Sequence, residues 1–166
     1  MDILKKILFI IIIFFLFFIP TNNQVNFVFP TDYTEISSNY GNRNIFGSTY
    51  FHNGIDFLAP YSSKVYACTN GIVIDKGFSS SYGNFIILQH SNSYKSLYGH
   101  LDENFIVNIG DYVYSNQYIA NVGPKYLSNG SLNGLTTGPH LHFTIFNEEN
   151  KTIDPINILK KDSSIY

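Results

Sequence analysis

The chain has 166 residues, a formal net charge of −2 at pH 7, 15 Phe, 13 Tyr and 45% hydrophobic residues. That is apolar chain enough for one domain of ordinary size plus a leader. With no basic run in its body, it points away from nucleic acid as a partner.

Lys5 and Lys6 precede an unbroken apolar run from Ile7 to Ile19, closed by Pro20. At about 13 residues the run is short for a membrane span, which takes ~20, and matches the core of a secretory signal. No small-x-small cleavage site is obvious, so an uncleaved N-terminal membrane anchor stays open beside a signal peptide. Residues 1–24 are set apart as one or the other. Either leads to the expectation of an exported domain over residues 25–166, in the periplasm or cell envelope, secreted or tethered to the membrane.

The stretch TNNQVNFVFPTDYTEISSNYGNRN is polar and turn-rich and reads as a lead-in. After it come short apolar runs broken by Gly, Asn and Ser. SKVYACTNGIVIDKG reads as two strands joined at Thr69-Asn70-Gly71, a hairpin signal. Within it lies Cys68, the single cysteine, which excludes an intramolecular disulfide and reads as a small buried hydrophobe. NFIILQH and YKSLYGHL read as strands around a turn at Ser91-Asn92-Ser93, and NFIVNIGDYVYSNQYIANVG gives further short strands. HLHFTIF is another strand, with NEENK as its turn. The one helix signal is the tail DPINILKK, where Pro155 suits a first turn after Asp154. The fold class expected is all-β, built from many short antiparallel strands.

The five histidines are His52, His90, His100, His140 and His142. His140 and His142 are two apart in GPHLHF, so a strand presents both on one face while Leu141, Phe143 and Ile145 face a core. In FHNGIDF, His52 and Asp56 are four apart, and the flanking Phe51, Gly54 and Phe57 favour strand or turn over helix. Imidazole nitrogen and carboxylate oxygen are good zinc ligands, and three protein ligands plus water is the catalytic arrangement. His52, Asp56 and one histidine of the pair complete such a set. His100, in SLYGHL, can assist proton transfer or hold a developing oxyanion beside it.

Together these segments resemble the lysostaphin-type, or LytM-type, zinc metalloendopeptidases of bacterial peptidoglycan. The resemblance covers about residues 36–158. It runs through ISSNYGNR, FHNGIDFLAPYSSKVYACTNGIV, YGNFIILQHSNSYKSLYGHL, VNIGDYVYSNQYIANVG and TTGPHLHF, in that order. It implies a barrel-sandwich-like peptidase domain with a duplicated hybrid motif. It implies Zn2+ held by His52, Asp56 and His142, with His100 and His140 as catalytic histidines and His90 without a direct role. The substrate implied is peptide of peptidoglycan stems or cross-bridges. Some relatives that have lost ligands instead activate other cell-wall hydrolases, so a regulator with such partners is the alternative. Two departures stand out. Residues 124–137 form a longer loop than the resemblance implies, either shaping the groove or inserted at the surface. Asn116 stands where glycine is common, and asparagine tolerates the same left-handed backbone.

Overall fold

The computed structural model describes residues 25–45 and 47–160; the leader segment at residues 1–24 lies outside them. Its elements are β1 (Phe27–Val28), β2 (Ile36–Ser38), β3 (Gly41–Ile45), β4 (Ser48–His52), β5 (Ile55–Phe57), β6 (Lys64–Tyr66) and β7 (Gly71–Ser79). These are followed by β8 (Gly83–Gln89), β9 (Lys95–Gly99), β10 (Tyr112–Val113), β11 (Tyr118–Asn121), β12 (Leu141–Phe146), β13 (Thr152–Ile153) and β14 (Leu159–Lys160). The described residues contain no α-helix; Ser91–Ser93 and Pro155–Asn157 are single 3-10 turns. Asp154 caps the second by accepting from the Ile156 N–H, but Pro155 leads into one turn and then into β14 rather than into a helix.

The principal sheet runs β10-β7-β8-β9-β12-β5-β2, with β13 beside β12. A second sheet pairs β6 with β11, and β3 and β4 form a separate hairpin. All these pairings are antiparallel. The exception to the antiparallel expectation is β1 with β14, a short parallel pair that ties the two ends of the described chain together. The polar lead-in is not a tail: β1, β2 and β3 all lie in it, and β2 extends the principal sheet beside β5.

The hairpin expected at Thr69-Asn70-Gly71 is not formed. A two-residue type I′ turn needs left-handed backbone at both central positions, and neither Asn70 nor Gly71 has positive φ. Instead β6 pairs with β11 and β7 with β8, so residues 67–70 carry the chain from one sheet to the other. The Val28 N–H donates to the Cys68 carbonyl and the Ala67 N–H to that of Gln117, fixing this crossing. The hairpin at Ser91–Ser93 does form, with Asn92 and Ser93 both left-handed.

The core lies between the two sheets. Tyr98, Phe57, Phe143, Ile86, Leu88, Leu141 and Ile145 of the principal sheet pack with Val65 and Ile119 of the second, all essentially without exposure. Each such side chain contributes roughly 1.5–3 kcal/mol by leaving water. One polar network crosses this core. The Tyr98 hydroxyl accepts from the Cys68 N–H at 2.9 Å and meets Ser96 Oγ at 3.1 Å, and Ser96 Oγ in turn meets His90 Nε2 at 2.7 Å. His90 Nδ1 donates to the Asn70 carbonyl at 2.8 Å, and burial pushes this imidazole's pKa down. Burial also pushes the Cys68 thiol up to about 11, so it stays neutral. His90 and Cys68 thus belong to the core and not to the cleft.

Replacing Tyr98 by Phe leaves the Cys68 N–H buried without an acceptor. The expected loss is about 1–3 kcal/mol, read as a lower urea midpoint at unchanged slope.

Candidate metal centre

Three strands deliver three donor atoms to one point. His52 ends β4, Asp56 is the middle residue of β5, and His142 is the second residue of β12. The β12 register sets His142 opposite Asp56 on one side and opposite Gly99 on the other. His52 and Asp56 do not share a strand, as their spacing first implies: the chain breaks at Asn53-Gly54 and the two strands pair with different partners. Gly54 permits this. A Cβ there would stand 2.4 Å from the Phe143 carbonyl oxygen and 2.8 Å from His142 Cε1, closer than any side chain tolerates.

His52 Nε2, Asp56 Oδ1 and His142 Nδ1 form a triangle with edges of 3.1, 2.9 and 3.0 Å. The hydrogen bonds around it define which atoms carry lone pairs. His52 Nδ1 donates to the Asn39 carbonyl at 2.9 Å, so Nε2 of the neutral ring turns a lone pair inward. His142 Nε2 lies 2.9 Å from Thr144 Oγ1, leaving Nδ1 for the triangle. A lone pair of His52 therefore faces a carboxylate oxygen at 3.1 Å in a buried site. Two acceptors at that distance repel, and a cation between them resolves the conflict. Those separations would let one ion take all three atoms as ligands at ~2.0–2.2 Å. The donor set of two imidazoles and a carboxylate, closed on one side by β12 and open on the other to a cleft, fits a zinc-type ion.

Burial by itself would raise the Asp56 pKa. When the rings are protonated, hydrogen bonds from His142 and His52, with the charges of His142 and His140, outweigh it and hold the carboxyl well below the usual range; with neutral rings the lone-pair conflict stands. The His142 pKa is pushed down, first by burial.

The other two histidines flank the triangle. His140 directly precedes β12, its Nδ1 donates to the Gly138 carbonyl at 2.9 Å, and its Nε2 is 3.7 Å from Asp56 Oδ1. His100 follows β9 in left-handed backbone, its N–H donating to the Tyr82 carbonyl at 2.6 Å and its Nδ1 to that of Asn133 at 2.7 Å. The two rings are 4.4 Å apart, centre to centre. With Nδ1–H committed to a carbonyl in each, Nε2 is the free acceptor in both. Burial, then the neighbouring His140, pushes His100 down to about 4, so it is unprotonated at neutral pH.

The five site residues singled out in the sequence, His52, Asp56, His100, His140 and His142, thus meet here, and His90 does not join them. The cleft above them has a volume of about 380 Å³ and is walled by Phe51, Tyr82 and Leu135; a neighbouring cleft of about 280 Å³ shares Arg43, Asp56 and His140 with it. Several residues of the site escape sequence reading. Thr144 lies two beyond His142, and the same i, i+2 rule that paired the histidines marks it. Asn39 and Asn133 act through backbone carbonyls, which carry no sequence signal. The long loop has two parts. Asn133 is fully buried, with its amide bound to Leu101 and Asn84 backbone, and Leu135 lines the cleft, whereas residues 128–131 are exposed.

The profile of Peptidase family M23 matches residues 50–155, a span that contains all five residues. The chain belongs to peptidase family M23. A Vibrio cholerae protein named peptidoglycan DD-endopeptidase ShyC is 32% identical over 117 residues, covering 69% of this chain and 25% of that protein. The chain thus spans about a quarter of the length of the curated relatives it matches. Among solved structures, a zinc containing peptidase from Vibrio cholerae superposes with a TM-score of 0.67 at 31% identity, covering 82% of this chain and 40% of that one. The catalytic domain of lysostaphin from Staphylococcus simulans superposes with a TM-score of 0.60 at 28% identity, covering 74% and 90%. The all-β antiparallel domain is thus of the lysostaphin type.

The geometry separates two roles for the paired histidines. His142→Ala removes a triangle atom and is expected to abolish stoichiometric zinc binding. His140→Ala leaves the triangle whole and is expected to retain about one zinc per chain by elemental analysis. Loss of zinc from the His140 variant would reverse the assignment.

Proposed function

We propose that the chain is a zinc-dependent endopeptidase that hydrolyses peptide bonds in bacterial peptidoglycan. The observation that carries this reading is the triangle of His52 Nε2, Asp56 Oδ1 and His142 Nδ1, open to a cleft that holds two further imidazoles. Membership of a peptidase family, a relative named for DD-endopeptidase activity on peptidoglycan and a zinc containing structural neighbour support it.

When bound, zinc supplies an activated water at neutral pH and polarises the scissile carbonyl. The chain's own residues do the rest. Nε2 of His140 or of His100 takes the proton of the attacking water. Once protonated, that nitrogen is a donor and can pass the proton to the leaving amine. The other imidazole faces the oxygen on which charge develops; groups in such positions are typically worth on the order of 10²-fold or more in rate. The carbonyls of Gly138 and Asn133 hold both rings in the tautomer this needs. Export to the cell envelope through the N-terminal segment completes the proposal, since the substrate lies outside the cytoplasm. Its support is the basic start and the apolar run from Ile7 to Ile19.

The test is digestion of purified peptidoglycan with products identified by mass spectrometry. The expected result is cross-linked fragments resolved into monomers, abolished by a chelator and restored by zinc, and reduced at least about 10²-fold in His140→Ala. Release of intact stem peptides from the glycan would mean an amidase instead.

A further inference from the structure

The two clefts meet at Arg43, the one Lys or Arg lining either of them. It lies on β3, opposite Tyr50 of β4, in the hairpin whose last residue is His52. Its side chain is 40% exposed and only lightly engaged. Nη1 donates to Ser38 Oγ at 2.9 Å. Its approach to Asp56 Oδ2 is 3.6 Å, well beyond the ~2.7–2.9 Å of a charge-assisted hydrogen bond. Nε is buried and has no acceptor among the described residues. A guanidinium has five N–H donors in a planar fork shaped for a carboxylate; with Nε buried, its Nη donors face the cleft, and one Nη1 bond to Ser38 leaves the others unspent. Asp56 does not saturate it, because the nearer oxygen, Oδ2, stays 3.6 Å from Nη1. No other carboxylate lines either cleft.

We propose that Arg43 anchors a free carboxylate of the bound peptide, beside the scissile bond. Arg43 reaches within 3.6 Å of Asp56 Oδ2, whose sister oxygen is a corner of the donor triangle, so its anion site is about one residue away from the reacting carbonyl. Phe51, 59% exposed, and Leu135, 79% exposed, offer apolar surface for the uncharged part of the ligand. The carboxylate can be the terminal one of a stem or a side-chain one within it; the recognising chemistry is the same. This assignment rests on the peptidase reading for its ligand class but is tested by binding as well as turnover.

The experiment is an NMR titration of the full chain with acetyl-Ala-D-Ala-D-Ala as free acid and as carboxamide. A second pair ends in D-Glu carboxamide or D-Gln carboxamide, which moves the carboxylate to the side chain. At least one acid is expected to bind about tenfold or more tightly than its amide, and the pair showing the gap identifies the source. Arg43→Gln is expected to close the gap and Arg43→Lys, which keeps the charge and loses the fork, to leave part of it. Equal binding of acid and amide in both pairs by the wild-type chain overturns the assignment without need of a variant. So does an equal weakening of acid and amide in Arg43→Gln, which marks a merely structural residue. Cleavage of the same peptides is followed in parallel. A binding gap without cleavage keeps the Arg43 site and counts against the peptidase reading, whereas cleavage without a gap does the reverse.

Discussion

The register of β12 between β5 and β9 is the constraint on which the cleft depends. It sets His142 across from Asp56 and from Gly99 at once. One pairing brings together two corners of the donor triangle; the other delivers His100, the next residue after Gly99, to its side. A slip of one residue would turn His142 toward the core and Leu141 or Phe143 toward the cleft. The buried face of β12 holds this register. Leu141, Phe143 and Ile145 are fully buried against Phe57 and Tyr98, whose rings lie 6.3 and 5.2 Å from that of Phe143. The same alternation that fills the core therefore places the chemistry.

Backbone carbonyls then determine the protonation pattern. Asn39, Gly138 and Asn133 each accept from Nδ1 of one imidazole. Each bond turns an Nε2 lone pair toward the cleft without spending a side chain on the task. The arrangement concentrates acceptors around the buried carboxylate of Asp56. Such a cluster suits a cation and is costly without one. His100 shows how tightly the site is held: it keeps left-handed backbone, disfavoured for a side chain with Cβ, because bonds to Tyr82 and Asn133 and the Gly123 N–H on its own carbonyl fix it there.

Much of this was legible in the sequence. The alternation of His140-Leu141-His142-Phe143 marked both the core face and the site face of β12, and scarcity of histidine made the pair conspicuous. His52-Asn53-Gly54-Ile55-Asp56 marked two side chains that do come together, but a strand break at Gly54, not a shared strand face, brings them there. Thr69-Asn70-Gly71 misled because a turn-like composition does not compel left-handed backbone when long-range pairing of β6 with β11 competes with it. The lead-in misled because short, polar strands gain their stability from pairing partners far away in the chain, which local composition does not record. Arg43 gave no signal, since one arginine in a polar stretch looks like solvated surface until the β3–β4 hairpin folds it beside Asp56.

The central claim is that His52, Asp56 and His142 hold the metal. Zinc K-edge X-ray absorption on the purified chain tests it most directly. The account predicts one zinc per chain with nitrogen and oxygen ligands at ~2.0–2.2 Å, and the imidazole signature of two histidines. A sulfur ligand at ~2.3 Å, which would implicate Cys68, or a spectrum without histidine scattering, would contradict it.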